Sequence, residues 1–528
     1  MPASTTILAP PENISTPRSS ARWDVPVILA ISLLLRWILI LRGGQYYFSD
    51  EQRYETSRAV ADLALQGNFN QAASTLFTAP EHVGFKVIGI IPAVLETLTR
   101  ESLVLPALFF GIFSLLNLYL IYQISKRLDA SSKEALYALL VSAASVSLLY
   151  FTRHLMPYDT AMTFGLLALY AALTKKPTAK SSLACGGSSF LCFITYNGYW
   201  PLAALAMLVH VLPNPMSLRG GHSPTNQSQT RMDNFNIWAK IFLRKGLLTA
   251  AGFILPAILL FLAAKGAGVN LLTEYRTFAT TVSQGSFAEG WSLPFEYFWH
   301  TEHILFIMMG VSSLYALVGS RSRNKSLKIV AASLVFIYLC LFIPSVIYHS
   351  FVVYGRLARQ MIPFLAILSA SGLERLEQDH PSAQRLVKIA FILIFIQAAW
   401  NYSISYNLSY PREFSQKAQA LYPDFDFSEK RLAFGAPTLC HNNGYIIENV
   451  KYFVTPPDIN PPVQGELLLS ASHSDNFLPY QYEGYTYEER QTFRELDLQM
   501  RLYKTDSSFT TDASQIRLEI KNCVVKDN

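Results

Sequence analysis

Apolar runs close to the length of a bilayer crossing recur through the first 400 residues, and no other feature restricts the fold so tightly. A span takes about 17 to 25 mostly apolar residues, fewer where the bilayer thins or neighbouring helices cover the segment. Eleven runs qualify: residues 25–41, 103–124, 135–151, 158–173, 183–195, 199–212, 247–264, 304–318, 329–347, 361–373 and 389–400. Only 15% of the residues are charged, against about 25% in an ordinary soluble protein. The predicted fold class is therefore an all-α polytopic membrane domain of about 11 spans plus a re-entrant or interfacial helix, followed by a small C-terminal α+β soluble domain.

The extra helix is the apolar run at 83–98, which contains Lys86, Pro92 and Glu96. Counting it as a full crossing would invert every later loop. If it does not cross, the loops holding Lys126, Arg127 and Lys133, then Lys175, Lys176 and Lys180, then Arg321, Arg323, Lys325 and Lys328 all face the cytoplasm. That solution follows the positive-inside rule. The division is then a disordered cytoplasmic N-terminus at 1–24, a membrane domain at 25–401 and an extracytoplasmic soluble domain at 402–528. Residues 25–41 lack a small-residue cleavage site and read as a retained span. Segments 42–102, 153–157, 265–303 and the loop around 354–359 come out on the same side as the tail.

The net charge of +6 comes from 43 basic against 37 acidic residues with no long basic run, so membrane topology accounts for it and no nucleic-acid partner is implied. The five cysteines show no metal-ligand spacing; Cys440 and Cys523 are open to pairing as a disulfide if the tail is outside. In the tail, Ile516-Arg517-Leu518-Glu519-Ile520 alternates as a strand does, and Asn443-Gly444 signals a turn.

Just beyond the first span stands Phe48-Ser49-Asp50-Glu51-Gln52-Arg53-Tyr54-Glu55, followed by Ser57-Arg58. Tyr54, Val60, Ala61, Leu63 and Leu65 give the segment partial helical periodicity. A carboxylate fixed at the membrane surface can take the proton of an acceptor hydroxyl while a lipid phosphate leaves a sugar's anomeric carbon. Nearby cations would hold the phosphate as its charge develops, and Arg53, Arg58 and Lys86 are available. The same residues also suit a plainer role, in which Asp50 and Glu51 cap a surface helix.

The pattern Asp-Glu-x-Arg-Tyr with a following Ser-Arg resembles the first outside loop of membrane glycosyltransferases of the C-type fold, the relatives of protein O-mannosyltransferases and lipid A aminoarabinose transferases. Glu81-His82-Val83-Gly84-Phe85-Lys86 is similar to that family's His/Lys-Pro-Pro-Leu segment, with Val83 and Gly84 in place of both prolines. Arg153-His154-Leu155-Met156-Pro157-Tyr158-Asp159 falls where the family often places a further acidic residue. Arg356-Leu357-Ala358-Arg359-Gln360-Met361-Ile362-Pro363 resembles its Arg-rich approach to a late span.

The resemblance implies a glycosyltransferase, hexosyl or pentosyl, that takes a sugar from a polyprenyl-phosphate-linked donor with inversion. The acceptor would be a lipid, glycan or protein on the extracytoplasmic side of a bacterial inner membrane. Asp50 is the expected general base, with Glu51 as substitute or as ligand if a divalent metal assists; no dedicated cofactor is expected. Arg53, Tyr54, Arg58, His82, Lys86, Asp159, Arg356 and Arg359 are the expected substrate-binding set.

Other roles stay open for several of these. Asp159 also suits a helix N-cap, Arg356 and Arg359 suit lipid head-group anchors, and His82 suits a structural place beside an apolar run. Tyr196, Tyr199 and Trp200 fit an interfacial aromatic belt as well as a sugar platform. Arg36, inside the first span, is expected to face other helices or to snorkel. A transporter or flippase of lipid-linked sugars is the rival function, and it would carry charge or broken helices near the midplane of both halves.

Overall fold

The structure is a computed structural model that describes residues 24–41, 53–78, 81–97, 104–174, 177–212, 229–284, 291–318, 324–347 and 355–400, together with tail segments 432–434, 453–454, 467–472, 485–496 and 515–525. The helices run α1 (Asp24–Leu41), α2 (Arg53–Leu65), α3 (Phe69–Thr78), α4 (Val83–Thr97), α5 (Val104–Arg127), α6 (Ser132–Ala144), α7 (Val146–Tyr150), α8 (Tyr158–Ala172) and α9 (Ala179–Thr195). They continue as α10 (Trp200–Val211), α11 (Gln229–Gly266), α12 (Leu271–Gln284), α13 (Leu293–Glu302), α14 (Ile304–Val318), α15 (Asn324–Phe342), α16 (Ile362–Asp379) and α17 (Ala383–Trp400).

Local signals set many of the boundaries. Ser131 accepts the Glu134 amide at the start of α6, and Thr178 and Ser181 form a reciprocal capping box at the start of α9. Prolines 201, 294 and 363 sit in the first turns of α10, α13 and α16, where a missing N–H costs nothing.

Each of the eleven apolar runs coincides with a helix or helix pair. Among the described residues, α1, α5, the Phe242–Gly266 part of α11 and α17 are long and apolar enough to cross a membrane. Two runs differ from expectation. The helix expected at 247–264 begins at Gln229, and the run at 135–151 is a bent pair, α6 and α7, with a 63° break. The break falls at Ser145, whose extended backbone interrupts the ladder and whose hydroxyl then accepts the Leu148 amide.

The most buried helices are α8 and α16. Helix α16 packs against α6, α14 and α15, and α8 against α5, α9 and α10. Helices α1, α11 and α17 lie outermost, with apolar faces turned away from the protein. The pair α9 and α11 crosses through glycines: a Cβ on Gly252 would come 2.5 Å from the Leu183 carbonyl oxygen, and one on Gly186 would meet the α11 backbone. Close packing through small residues is how helices associate where lipid is as apolar as leucine.

Arg36 faces the other helices. It is buried, its Nε donates to Ser114 Oγ at 2.9 Å, and its Nη1 donates to the Ser32 carbonyl at 3.1 Å.

In the tail, every described residue lies in a strand: β1 (Leu432–Phe434), β2 (Phe453–Val454), β3 (Leu467–Ser472), β4 (Tyr485–Leu496) and β5 (Gln515–Val525). They form one sheet in the order β2-β1-β3-β5-β4. The alternating segment lies in β5, antiparallel to both neighbours, with Leu518 opposite Ala471 and Phe493.

Candidate active site

One end of the helix bundle gathers most of the expected site residues, and two ionic knots, the first partly and the second almost wholly buried, organise it. The first ties α2 to α4. Tyr54 and Ser57 fall on the inward face of α2 and are buried. The Tyr54 hydroxyl donates to Glu96 Oε2 at 2.9 Å, and Arg58 Nη2 lies 3.2 Å from Glu96 Oε1. Arg58 also pairs with Glu55 at 3.0 Å, one turn before it. The Ser57 hydroxyl donates to the Lys86 carbonyl at 2.8 Å, and a Cβ at Gly89 would fall 2.5 Å from that hydroxyl oxygen. Helices α2 and α4 therefore lie as close as a glycine allows.

Within this knot Tyr54 has its pKa raised, first by burial and then by the Glu96 carboxylate. Lys86 is almost wholly buried, 3.8 Å from Glu81. Its pKa is lowered to about 8, chiefly by burial and also by Arg53 at the start of α2, with Glu81 opposing both. A buried lysine that stays largely charged at neutral pH suits anion binding.

The second knot joins the start of α8 to the segment before α16. Pro157 occupies the N-cap of α8 without a side-chain bond, so Asp159 is not the cap. Its carboxylate instead receives Arg359 Nη2 at 2.7 Å. Arg359 lies in the 3₁₀ turn Gly355–Met361. With 0% of its surface exposed, it is no lipid anchor. Burial penalises the guanidinium charge, but Asp159 outweighs it and the pKa stays raised. Its cation stands over the Phe151 ring at 4.8 Å and the Tyr158 ring at 5.8 Å.

Tyr199 is fully buried and stands within electrostatic reach of Arg359. Tyr297 of α13 stands within electrostatic reach of Arg359. Gln360 donates to the Gly198 carbonyl at 2.9 Å, joining this turn to the short link between α9 and α10.

Aromatic stacking joins the two knots. His82 lies 4.8 Å from Tyr196 between ring centroids, Tyr196 meets Tyr158 edge to face at 4.8 Å, and Tyr158 meets Phe151 at 5.2 Å. His82 has a φ of 56°, an unfavoured conformation for a residue with a Cβ, and it opens α4 directly against this row. Gly84 permits that approach, since a Cβ there would come 2.7 Å from Thr195 Oγ1 at the end of α9. Tyr196 and Tyr199 are thus packed inside the protein rather than arranged as a lipid-facing belt.

Asp50, Glu51 and the possible partner Cys440 lie outside the described residues, as does the side chain of Arg356, whose backbone is in the same 3₁₀ turn as Arg359. Arg53 opens α2 directly after Gln52. Among the described residues no group of three or more His, Cys, Asp or Glu side chains is placed to hold a metal ion. Sequence reasoning missed Glu96 as the partner of Tyr54 and Arg58 and Tyr297 beside Arg359, and it singled out Tyr199 and the motif containing Gln360 without foreseeing their place around Arg359. Arg153 and His154, both buried in the turn before α8, were visible only as part of a motif.

No protein-family model matches the chain, and no curated protein sequence matches it. Solved structures do match. ArnT from Cupriavidus metallidurans in the apo state is 14% identical over 76% of this chain and 69% of its own, with a TM-score of 0.50. The same protein bound to undecaprenyl phosphate gives 14%, 76% and 69% with 0.48. The arabinofuranosyltransferase AftD from Mycobacteria gives 16% identity over 81% of this chain and 30% of that one, with 0.47. The chain has the C-type membrane glycosyltransferase fold.

Proposed function

We propose that this protein transfers a sugar from a polyprenyl-phosphate-linked donor to a lipid, glycan or protein acceptor on the outer face of a bacterial inner membrane. The observation that carries the reading is the gathering of buried ionic groups at one end of the bundle. Lys86, Arg359 and Asp159 stand there with a row of aromatic rings between them. ArnT, whose fold the chain shares, has been seen with undecaprenyl phosphate.

In this reading the acceptor oxygen attacks the anomeric carbon and its proton passes to the Asp50 carboxylate. The bond from that carbon to the phosphate oxygen breaks, and its electrons leave on polyprenyl phosphate, so the configuration inverts. Glu51 takes the base role if the pair is used the other way round. Lys86, Arg356 and Arg359 hold the phosphate as its charge grows, and cations fixed in a water-poor site do this better than mobile ones. Asp159 keeps Arg359 ionised and aimed. Arg53, Arg58, Tyr54 and His82 shape the wall on the α2 and α4 side, with Glu96 bolting Tyr54 and Arg58 in place. The tail forms a small soluble domain on the acceptor side.

Mass spectrometry of cell-envelope glycans and lipids, with and without the gene, tests the reading. Loss of one sugar from one acceptor, with its lipid-linked donor accumulating, is expected. Intact glycans together with a lipid-linked sugar trapped on the cytoplasmic leaflet would indicate a transporter instead.

A further inference from the structure

The α6–α7 break poses a problem that the fold solves unusually. Breaking a helix inside a bundle leaves amide N–H groups of the new first turn without helical partners. Ser145 takes one, the Leu148 amide, at 3.3 Å. The others are met from far along the chain by Glu302, the last residue of α13. Its Oε2 accepts the Val146 amide at 2.9 Å, and its Oε1 accepts the Ser147 amide at 2.9 Å and the Ser145 hydroxyl at 2.7 Å.

The neighbouring Thr301 receives the Ser147 hydroxyl at 3.1 Å. Glu302 is 1% exposed, and burial raises its pKa against the three hydrogen bonds that favour the charge. A second, neutral cap such as serine or asparagine would satisfy a helix start without the desolvation of a carboxylate. The added effect of Glu302 is that it ties two distant segments together.

Those segments both matter to the site. Downstream of the break, α7 runs straight into the turn Phe151–Arg153, then to His154 and Asp159, so the position of the break sets where these residues stand. Upstream of Glu302, α13 carries Tyr297 beside Arg359 and packs against the 3₁₀ turn that holds Arg359. On the far side, Gln397 of α17 donates to the Glu302 carbonyl at 3.1 Å and accepts the Ile304 amide at 3.1 Å, fixing a corner where His303 has a φ of 47°. One carboxylate thus holds both halves of the Asp159–Arg359 pair in register, Asp159 through α7 and Arg359 through α13.

We propose that Glu302 is a positioning residue that clamps the α13 corner to the α6–α7 break and so sets the geometry of the Asp159–Arg359 pair for donor binding. The proposal rests on the transferase reading for its functional consequence. Glu302→Gln keeps the shape but turns one oxygen into an amide NH₂, which would face the Val146 N–H donor to donor. Glu302→Asp keeps the charge with a shorter reach, and Gln397→Ala loosens the corner without touching a buried charge.

The test uses the full chain in lipid nanodiscs, with two readouts: amide hydrogen exchange by mass spectrometry and binding of undecaprenyl phosphate. In Glu302→Gln, peptides covering 145–155 are expected to exchange at least tenfold faster while those in α5 and α8 keep the parent rate, and undecaprenyl phosphate affinity should fall about fivefold or more. Glu302→Asp should recover part of both, and Gln397→Ala should show the same local pattern more weakly, which keeps the test decisive if Glu302→Gln is poorly folded. Faster exchange spread evenly over all helices in both Glu302→Gln and Gln397→Ala would make the contact a general stabiliser and overturn the proposal. So would unchanged affinity beside a parent that binds. A parent that binds no undecaprenyl phosphate would instead overturn the donor reading, and the clamp's functional role with it.

Discussion

Asp159 and Arg359 offer the sharpest test of the site's construction, because the pair is nearly sealed from water and its cost can be worked out. The guanidinium is fully buried, the carboxylate side chain is 8% exposed, and the N···O distance is 2.7 Å. Asp159→Asn keeps a hydrogen-bond acceptor but removes the counter-charge. Breaking a buried pair from one side typically costs about 3–5 kcal/mol, because a charge remains with nothing to compensate it. The faces of Phe151 and Tyr158 under the cation soften that loss, since a desolvated cation–π contact is worth about 2 kcal/mol. The expected destabilisation is therefore about 2 kcal/mol. Arg359→Gln should cost a similar amount by stranding the carboxylate.

The double variant removes both charges and leaves two amides able to hydrogen-bond. It should be less destabilised than the sum of the singles by about 2 kcal/mol or more. Urea unfolding of the four proteins in mixed micelles, followed by tryptophan fluorescence, supplies the cycle. Singles that add to within about 0.5 kcal/mol, as independent sites do, would show that the pair is not energetically coupled and would refute the reasoning.

Two further outcomes follow from the same geometry. Lys86 titrates at about 8 in the folded chain against an ordinary 10.5, so donor affinity should hold to about pH 7 and fall as pH rises through 8, while Lys86→Arg should flatten that fall; an unchanged profile in Lys86→Arg would remove Lys86 from phosphate binding. Fold stability should move the other way, rising between about pH 8 and 10.5, because there the unfolded chain keeps a proton that the folded one has released. A single cysteine introduced in the tail, in a background lacking the others, should react with an impermeant maleimide in intact cells or spheroplasts; labelling only after lysis would reverse the topology.

The helices were legible because a bilayer demands long apolar runs, and each of the eleven runs became a helix or helix pair. The inward face of α2 was legible as well, since Tyr54, Val60 and Ala61 recur at helical spacing. What escaped was set by partners far away in sequence. Nothing around Ser145 announces a 63° break, for there is no proline or glycine there; the stabilising carboxylate is Glu302, 157 residues on. Asp159 looked like a cap because aspartate suits a first turn, and its actual partner is 200 residues away. Tyr297 sat in a loop with no motif, and its place beside Arg359 comes from α13 packing, which single-sequence periodicity does not encode. Glu96, read only as a polar intrusion in an apolar run, is polar because two side chains of α2 bind it.

The central claim is that this chain itself moves the sugar and that Asp50 takes the acceptor's proton. Purified protein in proteoliposomes, given polyprenyl-phosphate-linked sugars and an envelope extract from cells lacking the gene, measures this directly. The parent should release polyprenyl phosphate in step with a newly glycosylated acceptor. Asp50→Asn, which keeps size but cannot take the proton, should turn over about 10²- to 10⁴-fold more slowly with donor binding retained. No transfer by the well-folded parent, or turnover in Asp50→Asn within a few-fold of it and a severe loss only in Glu51→Gln, would contradict the claim.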